Sequence, residues 1–368
     1  MVSTYHNKYF SVDLNSDWEG LIKCINRQGT SDRVYFMEMF LDEEVKTILC
    51  QRFELLTGLS PSDPYFNLKR EIALQRFLGY DYVRCWPEGI DLQLSFILAN
   101  DTAELARKNG RIYINEHVGP ITTWQEFETY PWPELKSLST RSFEWYQSNL
   151  PDDMCIIACG GFAHFAEHLS WLMGYEKLCY ALFDQRDLVK AICDRLVEIS
   201  KAALLKMLEY SRVKIIWGSD DMGFRSGTLM SPADLREFIF PDHKLMAQES
   251  HKVGRPYILH SCGKLAAIMD DLIYEVGIDG KHSFEDTIEN VADAKSLYGN
   301  KIALLGGIDI DFLCRADEKQ IRRRVRETLE LCMRCGGYCL GTGNSVANYI
   351  PIENYLVMLD EGRRFKLA

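Results

Sequence analysis

From about residue 150 onward, short apolar runs alternate with stretches whose apolar residues recur every three or four positions. The first pattern predicts buried strands and the second amphipathic helices. Met154–Ala158, Val213–Trp217, the run ending at His260, Ile278–Phe284, Ile302–Leu305 and Tyr338–Leu340 read as strands. Asp187–Tyr210, Lys264–Val276, Glu318–Met333 and Ile352–Arg363 read as helices, and Ser231-Pro232 opens another, with Ser as N-cap and Pro at the first helical position. Repeated βα units of this length imply a parallel sheet, and their number predicts a closed α/β barrel. No Gly-rich dinucleotide fingerprint follows any strand, which disfavours an open doubly wound sheet.

The first 150 residues are less regular. Arg33–Phe40 reads as the first barrel strand, after an N-terminal extension over 1–30. Arg111–Asn115 followed by Val118–Ile121 predicts a hairpin within a lid-like insertion spanning about 105–150, and Tyr130-Pro131-Trp132-Pro133 a rigid connection. No linker or low-complexity tract interrupts the chain, so residues 1–368 are expected to form a single barrel domain with additions.

The formal net charge of -11 argues against general nucleic-acid binding. The Arg322–Arg326 cluster lies among glutamates and reads as a solvated helix face. No apolar run is long enough for a membrane span, and Met1–Asp13 lacks the apolar core of a secretory signal. A cytoplasmic setting follows as the expectation, with the 12 cysteines reduced and mostly buried rather than paired.

Candidate chemistry concentrates at predicted strand ends, where barrels of this kind place their active sites. In His260-Ser261-Cys262-Gly263 the imidazole and thiol are two residues apart at a strand end, so they leave on the same face. A thiolate beside an imidazole is a ligand pair that zinc favours, although a buried Cys and a hydrogen-bonded His give the same pattern. Glu285 and Cys339, also at strand ends, would complete a tetrahedral set with His260 and Cys262. Cys332-x-x-Cys335 competes weakly, since Cys332 sits in a helical pattern. Asp220, Asp221 and His282 are candidates for proton handling or structural hydrogen bonds, and Asp309 and Asp311 also fall at a strand end. Glu116 and His117, beside Gly119-Pro120, could contact substrate from a lid. Asn344 and Asn348 follow the last strand in a Gly-rich loop suited to substrate contact. His164, Glu167 and His168 have helical spacing and read as a capped core helix.

The stretches GSDDMGFRSGTLMSP (218–232), HSCGKL (260–265), GIDGKHSFED (277–286), LLGGIDIDFL (304–313) and LGTGNSVANYIPIENYLVML (340–359) resemble the uroporphyrinogen decarboxylase superfamily, in the branch related to corrinoid-dependent methyltransferases. With ALQRFLGYDYV and NEHVGPITTWQEFE, the resemblance covers nearly the whole chain. It implies a TIM (β/α)8 barrel and a zinc ion held by an H-x-C pair, a downstream acid and a late cysteine, matching His260, Cys262, Glu285 and Cys339 in order. The decarboxylase's N-terminal arginine motif is reduced here to Asp32–Phe40, with Arg33 alone and a glutamate, Glu38, in a region that would need positive charge for a polycarboxylate.

Three functions follow as expectations. The first is a zinc-dependent transferase moving a methyl group between a small methylated substrate or thiol and the corrinoid of a partner protein docked at the barrel mouth. The second is a metal-free decarboxylase using Arg33 with Glu88 or Asp221. The third is a non-catalytic binder of a corrinoid or tetrapyrrole. A homodimer is compatible with each.

Overall fold

The computed structural model describes residues 9–107 and 109–367. Among these residues there are ten strands: β1 (Tyr35–Phe36), β2 (Tyr82–Cys85), β3 (Phe96–Ala99), β4 (Arg111–Ile114), β5 (Cys155–Ala158), β6 (Val213–Ser219), β7 (Tyr257–His260), β8 (Gly280–His282), β9 (Ala303–Leu305) and β10 (Tyr338–Leu340). Eight of them form one curled parallel sheet in the order β1-β10-β9-β8-β7-β6-β5-β2. Strands such as β5 and β7 are buried at every position, as expected where side chains pack inward on one face and against helices on the other.

The ladder runs from β1 round to β2, and the seam between those two is spanned by side chains. The Tyr82 hydroxyl accepts from Glu38 N at 2.9 Å and donates to Glu38 O at 3.2 Å. Arg84 donates to Met39 O next to it. The architecture is the expected TIM-like α/β fold.

The N-terminal extension closes one end of the sheet. Asp17 N donates to Asp81 Oδ1 at 2.7 Å, and Trp18 N to Asp153 O at 3.3 Å. The Tyr35 hydroxyl donates to Asp17 Oδ2 at 2.7 Å. Asp81, Asp153 and Tyr35 all precede or open strands, so residues 16–25 cover the N-terminal ends and leave the C-terminal ends for a site. Arg33 belongs to this closed end: it pairs with Asp81 at 2.9 Å and donates to Asn15 O at 2.6 Å. The expectation that Arg33 binds substrate is therefore corrected.

The hairpin also differs from expectation. Arg111–Ile114 pairs antiparallel with Phe96–Ala99, upstream, rather than with Val118–Ile121. Gly119 instead lies against the backbone of Leu172, so close that a Cβ would fall 2.2 Å from its carbonyl oxygen. Among the described residues no helix is long and apolar enough to cross a membrane.

Candidate metal centre

Parallel register sets Ser219, His260 and His282 side by side on β6, β7 and β8. Two residues beyond the first two lie Asp221 and Cys262, on the loops at the open end. Asp221, His260 and Cys262 each offer a ligand atom within 4.8 Å of the others. Cys262 Sγ lies 3.3 Å from His260 Nε2, and Asp221 Oδ1 lies 3.4 Å from the same nitrogen. Cys262 N donates to Asp221 Oδ1 at 2.8 Å, which locks the two loops together. Gly263 has φ +88 and lies flat on Gly223, where a Cβ would fall 2.2 Å from backbone carbon; that close approach holds the Cys262 turn against the loop carrying Asp221.

Neighbouring groups orient the ligands. His260 Nδ1 and His282 Nδ1 are 2.7 Å apart. Ser283 Oγ and Asn344 Nδ2 both donate to Cys262 Sγ, each at 3.3 Å. Two donors aimed at one sulfur fix its position in the cluster.

Electrostatics agree. Burial pulls the His260 imidazole down, but the sulfur of Cys262 and the carboxylate of Asp221 overcome it and hold its pKa at about 10. Burial likewise opposes ionisation of Asp221, yet His260 and the Cys262 N–H bring it down to about 2. His282 is fully buried beside a cation and falls well below the usual histidine range, so it stays neutral. The His260 proton is thus held against the Asp221 carboxylate and beside the Cys262 sulfur, a place a metal ion would take. A nitrogen, a sulfur and an oxygen converging at the open end of the barrel fit a divalent metal of borderline softness, with a fourth position left for substrate.

The other predicted residues fall in different places. Glu285 is exposed on a cavity wall and is absent from the cluster; Ser283, with φ +87, turns the chain as β8 ends and presents its own hydroxyl to the sulfur. Cys339 lies within β10, where its Sγ is 4.0 Å from Cys24 Sγ of helix Trp18–Ile25, the helix at the closed end. Neither residue lies in the cluster, which corrects both expectations: the carboxylate there is that of Asp221, and the loop after β10 brings Asn344 rather than a cysteine.

Asp220 is fully buried and faces away from its neighbour. Its carboxylate accepts from Ala166 N and Glu167 N at 2.9 Å each, capping helix Phe165–Met173, and contacts His243 Nε2 at 2.8 Å. His243 Nδ1 in turn meets the Tyr257 hydroxyl at 2.7 Å. This chain ties three elements together and corrects the proton-handling expectation for Asp220. Glu88 is exposed, pairs through its backbone with Ser139 and accepts from Ser142 Oγ at 3.3 Å. Glu116 and His117 form the turn that docks on the Gly174 junction, where Glu116 O accepts from Tyr175 N at 2.8 Å. Asn348 is buried, donating to Asp101 Oδ2 at 2.8 Å and Leu105 O at 2.9 Å, and so fastens the insertion to the barrel. None of these four faces the cluster. His164 contacts Glu167 at 2.8 Å within its own helix, as a structural pair.

Ser283 was not legible as a site residue. Its only sequence signal is its position immediately after His282, where a polar residue at a strand end is commonplace.

A methylated-thiol–coenzyme M methyltransferase from Methanosarcina mazei is 34% identical over 130 residues, 35% of this chain and 32% of that protein. A methylcobamide:CoM methyltransferase from Methanosarcina barkeri is 31% identical over 131 residues, 35% and 36% of the two chains. The matched stretch thus spans about a third of these curated relatives. Among solved structures, a methyltransferase from Methanosarcina mazei superposes with a TM-score of 0.66 at 19% identity, covering 94% of this chain and 97% of that one, which is a likeness of fold. The profile of the uroporphyrinogen decarboxylase (URO-D) family matches residues 159–365, more than half of the chain and the part that carries the cluster, and the chain belongs to that family.

Proposed function

We propose that this protein is a zinc-dependent methyltransferase that moves a methyl group between a small methylated substrate or thiol and a corrinoid carried by a partner protein. The observation that carries the reading is the convergence of Asp221, His260 and Cys262 within 4.8 Å at the open end of the barrel. The named activities of the curated relatives support the methyl-transfer class, through a match to about a third of their length.

In this reading Asp221, His260 and Cys262 hold the ion. When bound there, zinc would supply Lewis acidity to the substrate heteroatom that gains or loses the methyl group. The chain's own residues do the rest. Neutral His282 takes the Nδ1–H of His260, leaving Nε2 free to ligate. Ser283 and Asn344 stabilise negative charge on Cys262 Sγ and fix where it points. The near-complete burial of His260 keeps bulk water from one side of the site. A decarboxylase reading has less support, because Arg33 is paired with Asp81 at the closed end.

Two measurements test the proposal. Metal analysis of the purified protein should find near-stoichiometric zinc, lost in His260→Ala and in Cys262→Ala. Mixing the zinc-loaded protein with a methylcorrinoid protein and a thiol should shift the cobalt absorbance as the methyl group leaves. Wild-type protein without zinc, or zinc kept by both variants, sinks the metal assignment. A static cobalt spectrum across a panel of thiols and methyl donors sinks the transfer.

A further inference from the structure

Lys281 occupies a position whose surroundings are apolar. It is the middle residue of β8, and its register partners on β7 and β9 are Leu259 and Leu304, both buried. Successive strand residues point to opposite faces, so its side chain leaves the strand on the side away from His282. Lys281 is only 3% exposed, and no carboxylate forms an ion pair with it among the described residues. The Phe284 ring centroid lies 4.1 Å from its ammonium. Burial pulls its pKa down to about 8, against Glu289, Cys262 and Asp221, so the charge is still present at neutral pH. A buried cation without a counter-ion is costly, and a leucine like its neighbours would avoid that cost.

What the ammonium holds is a carbonyl. Lys281 Nζ donates to Ser283 O at 2.5 Å. Ser283 is buried and has φ +87, a backbone conformation that a serine keeps only where its surroundings impose it. The ammonium satisfies a carbonyl that the turn has taken out of water. From this turn Ser283 Oγ donates to Cys262 Sγ at 3.3 Å. The next residue, Phe284, donates its N–H to Gly343 O at 2.9 Å, and Asn344, directly after Gly343, donates to the same sulfur at 3.3 Å. Both donors on Cys262 therefore hang from one hydrogen-bonded pair of loops, with Lys281 fastening the side that leaves β8.

We propose that Lys281 is a positioning residue of the metal centre: by holding the Ser283 carbonyl it fixes the hydroxyl that aims Cys262 Sγ. It acts through Ser283 and is not itself a ligand. The assignment rests on the metal reading of the cluster and adds the residue that preorganises its sulfur.

Two variants of the full-length protein cut the link at different points. Lys281→Met keeps the length of the side chain and removes the donor. Ser283→Gly removes the hydroxyl while accepting the positive φ freely. Competition against a chromogenic chelator should show zinc bound about tenfold more weakly by each. The double variant should be no weaker than either single one, because both changes break the same link. Cobalt(II) ion in place of zinc supplies a readout that a merely structural lysine would not move: the thiolate-to-metal charge-transfer absorption should weaken alike in both variants. In metal-free protein, hydrogen exchange at the Phe284 amide should be faster in Lys281→Met than in wild type. A Lys281→Met variant that binds zinc and cobalt(II) as wild type does would overturn the proposal. So would single losses that multiply to about a hundredfold in the double variant, or a Phe284 amide whose exchange is unchanged. The two readings fail separately: wild-type protein that takes up neither metal refutes the metal centre, whereas metal uptake indifferent to Lys281→Met refutes the role of Lys281 alone.

Discussion

The Nδ1 atoms of His260 and His282 lie 2.7 Å apart, between register-paired residues of β7 and β8, and this contact decides which nitrogen of His260 faces the open side. With His282 neutral and accepting, His260 carries its hydrogen on Nδ1 and presents Nε2 toward Cys262 and Asp221. Replacing His282 by Ala should weaken zinc binding by roughly 10–100-fold while leaving all three ligands in place. His282→Asn, which can still accept a hydrogen bond, should recover part of that loss. Competition against a chromogenic chelator measures both, and an Ala variant that binds zinc as tightly as wild type would refute the orienting role.

Adjacent aspartates should give opposite phenotypes. Asp220→Ala removes the cap of helix Phe165–Met173 and strands His243 in the core. It should cost roughly 2–4 kcal/mol of stability, read from denaturant unfolding, while folded protein keeps its metal. Asp221→Ala should fold but lose metal; the lost contacts to Cys262 N and His260 should cost metal-free protein less than Asp220→Ala does, since this side chain is partly exposed. The reverse pattern would mean that the two roles have been exchanged.

Stability should fall as pH rises from about 4.5 to about 8, in part through Glu38. Burial pushes this carboxyl up to about 8, against two hydrogen bonds from Thr342 that favour ionisation. Folding therefore takes up a proton wherever the unfolded chain has released it. That interval lies between the unfolded value near 4.5 and the folded value near 8, and in it stability declines with pH. Glu38→Gln keeps the shape and removes the titration. At pH 8 it should be more stable than wild type by on the order of 2–4 kcal/mol, with the gap closing below pH 5. A constant difference across that range contradicts the assignment.

Metal uptake should release a proton. His260 holds its own up to about 10 in the metal-free cluster, and only the deprotonated ring can ligate. Apparent zinc affinity should therefore rise about tenfold per pH unit between pH 6 and 8. Affinity independent of pH in that window would show that His260 is not a ligand.

The parallel strands were legible because a barrel strand buried on both faces must be apolar, and β5, β6 and β7 announce themselves that way. His260 and Cys262 followed from two-residue periodicity at a strand end. Glu285 was misplaced for a local reason. The apolar pattern carries β8 on to Phe284, whereas the strand stops at His282 and Ser283 turns in a left-handed conformation that a sequence pattern does not reveal in a serine. Cys339 was misplaced because its place along the barrel axis depends on how far each strand is staggered, which no single strand encodes. The pairing of β3 with β4 was missed because Val118–Ile121 is equally strand-like, and only its packing against Leu172 shows why it is not used.

Zinc K-edge X-ray absorption on the purified protein tests the central claim most directly, because it counts sulfur atoms at the ion. One sulfur at about 2.3 Å with nitrogen and oxygen neighbours at about 2.0–2.2 Å is the predicted shell; it should be unchanged in Cys339→Ala, while Cys262→Ala should hold no zinc. Two or more sulfur neighbours, a zinc–sulfur shell that survives Cys262→Ala, or a wild-type protein without zinc would contradict the account.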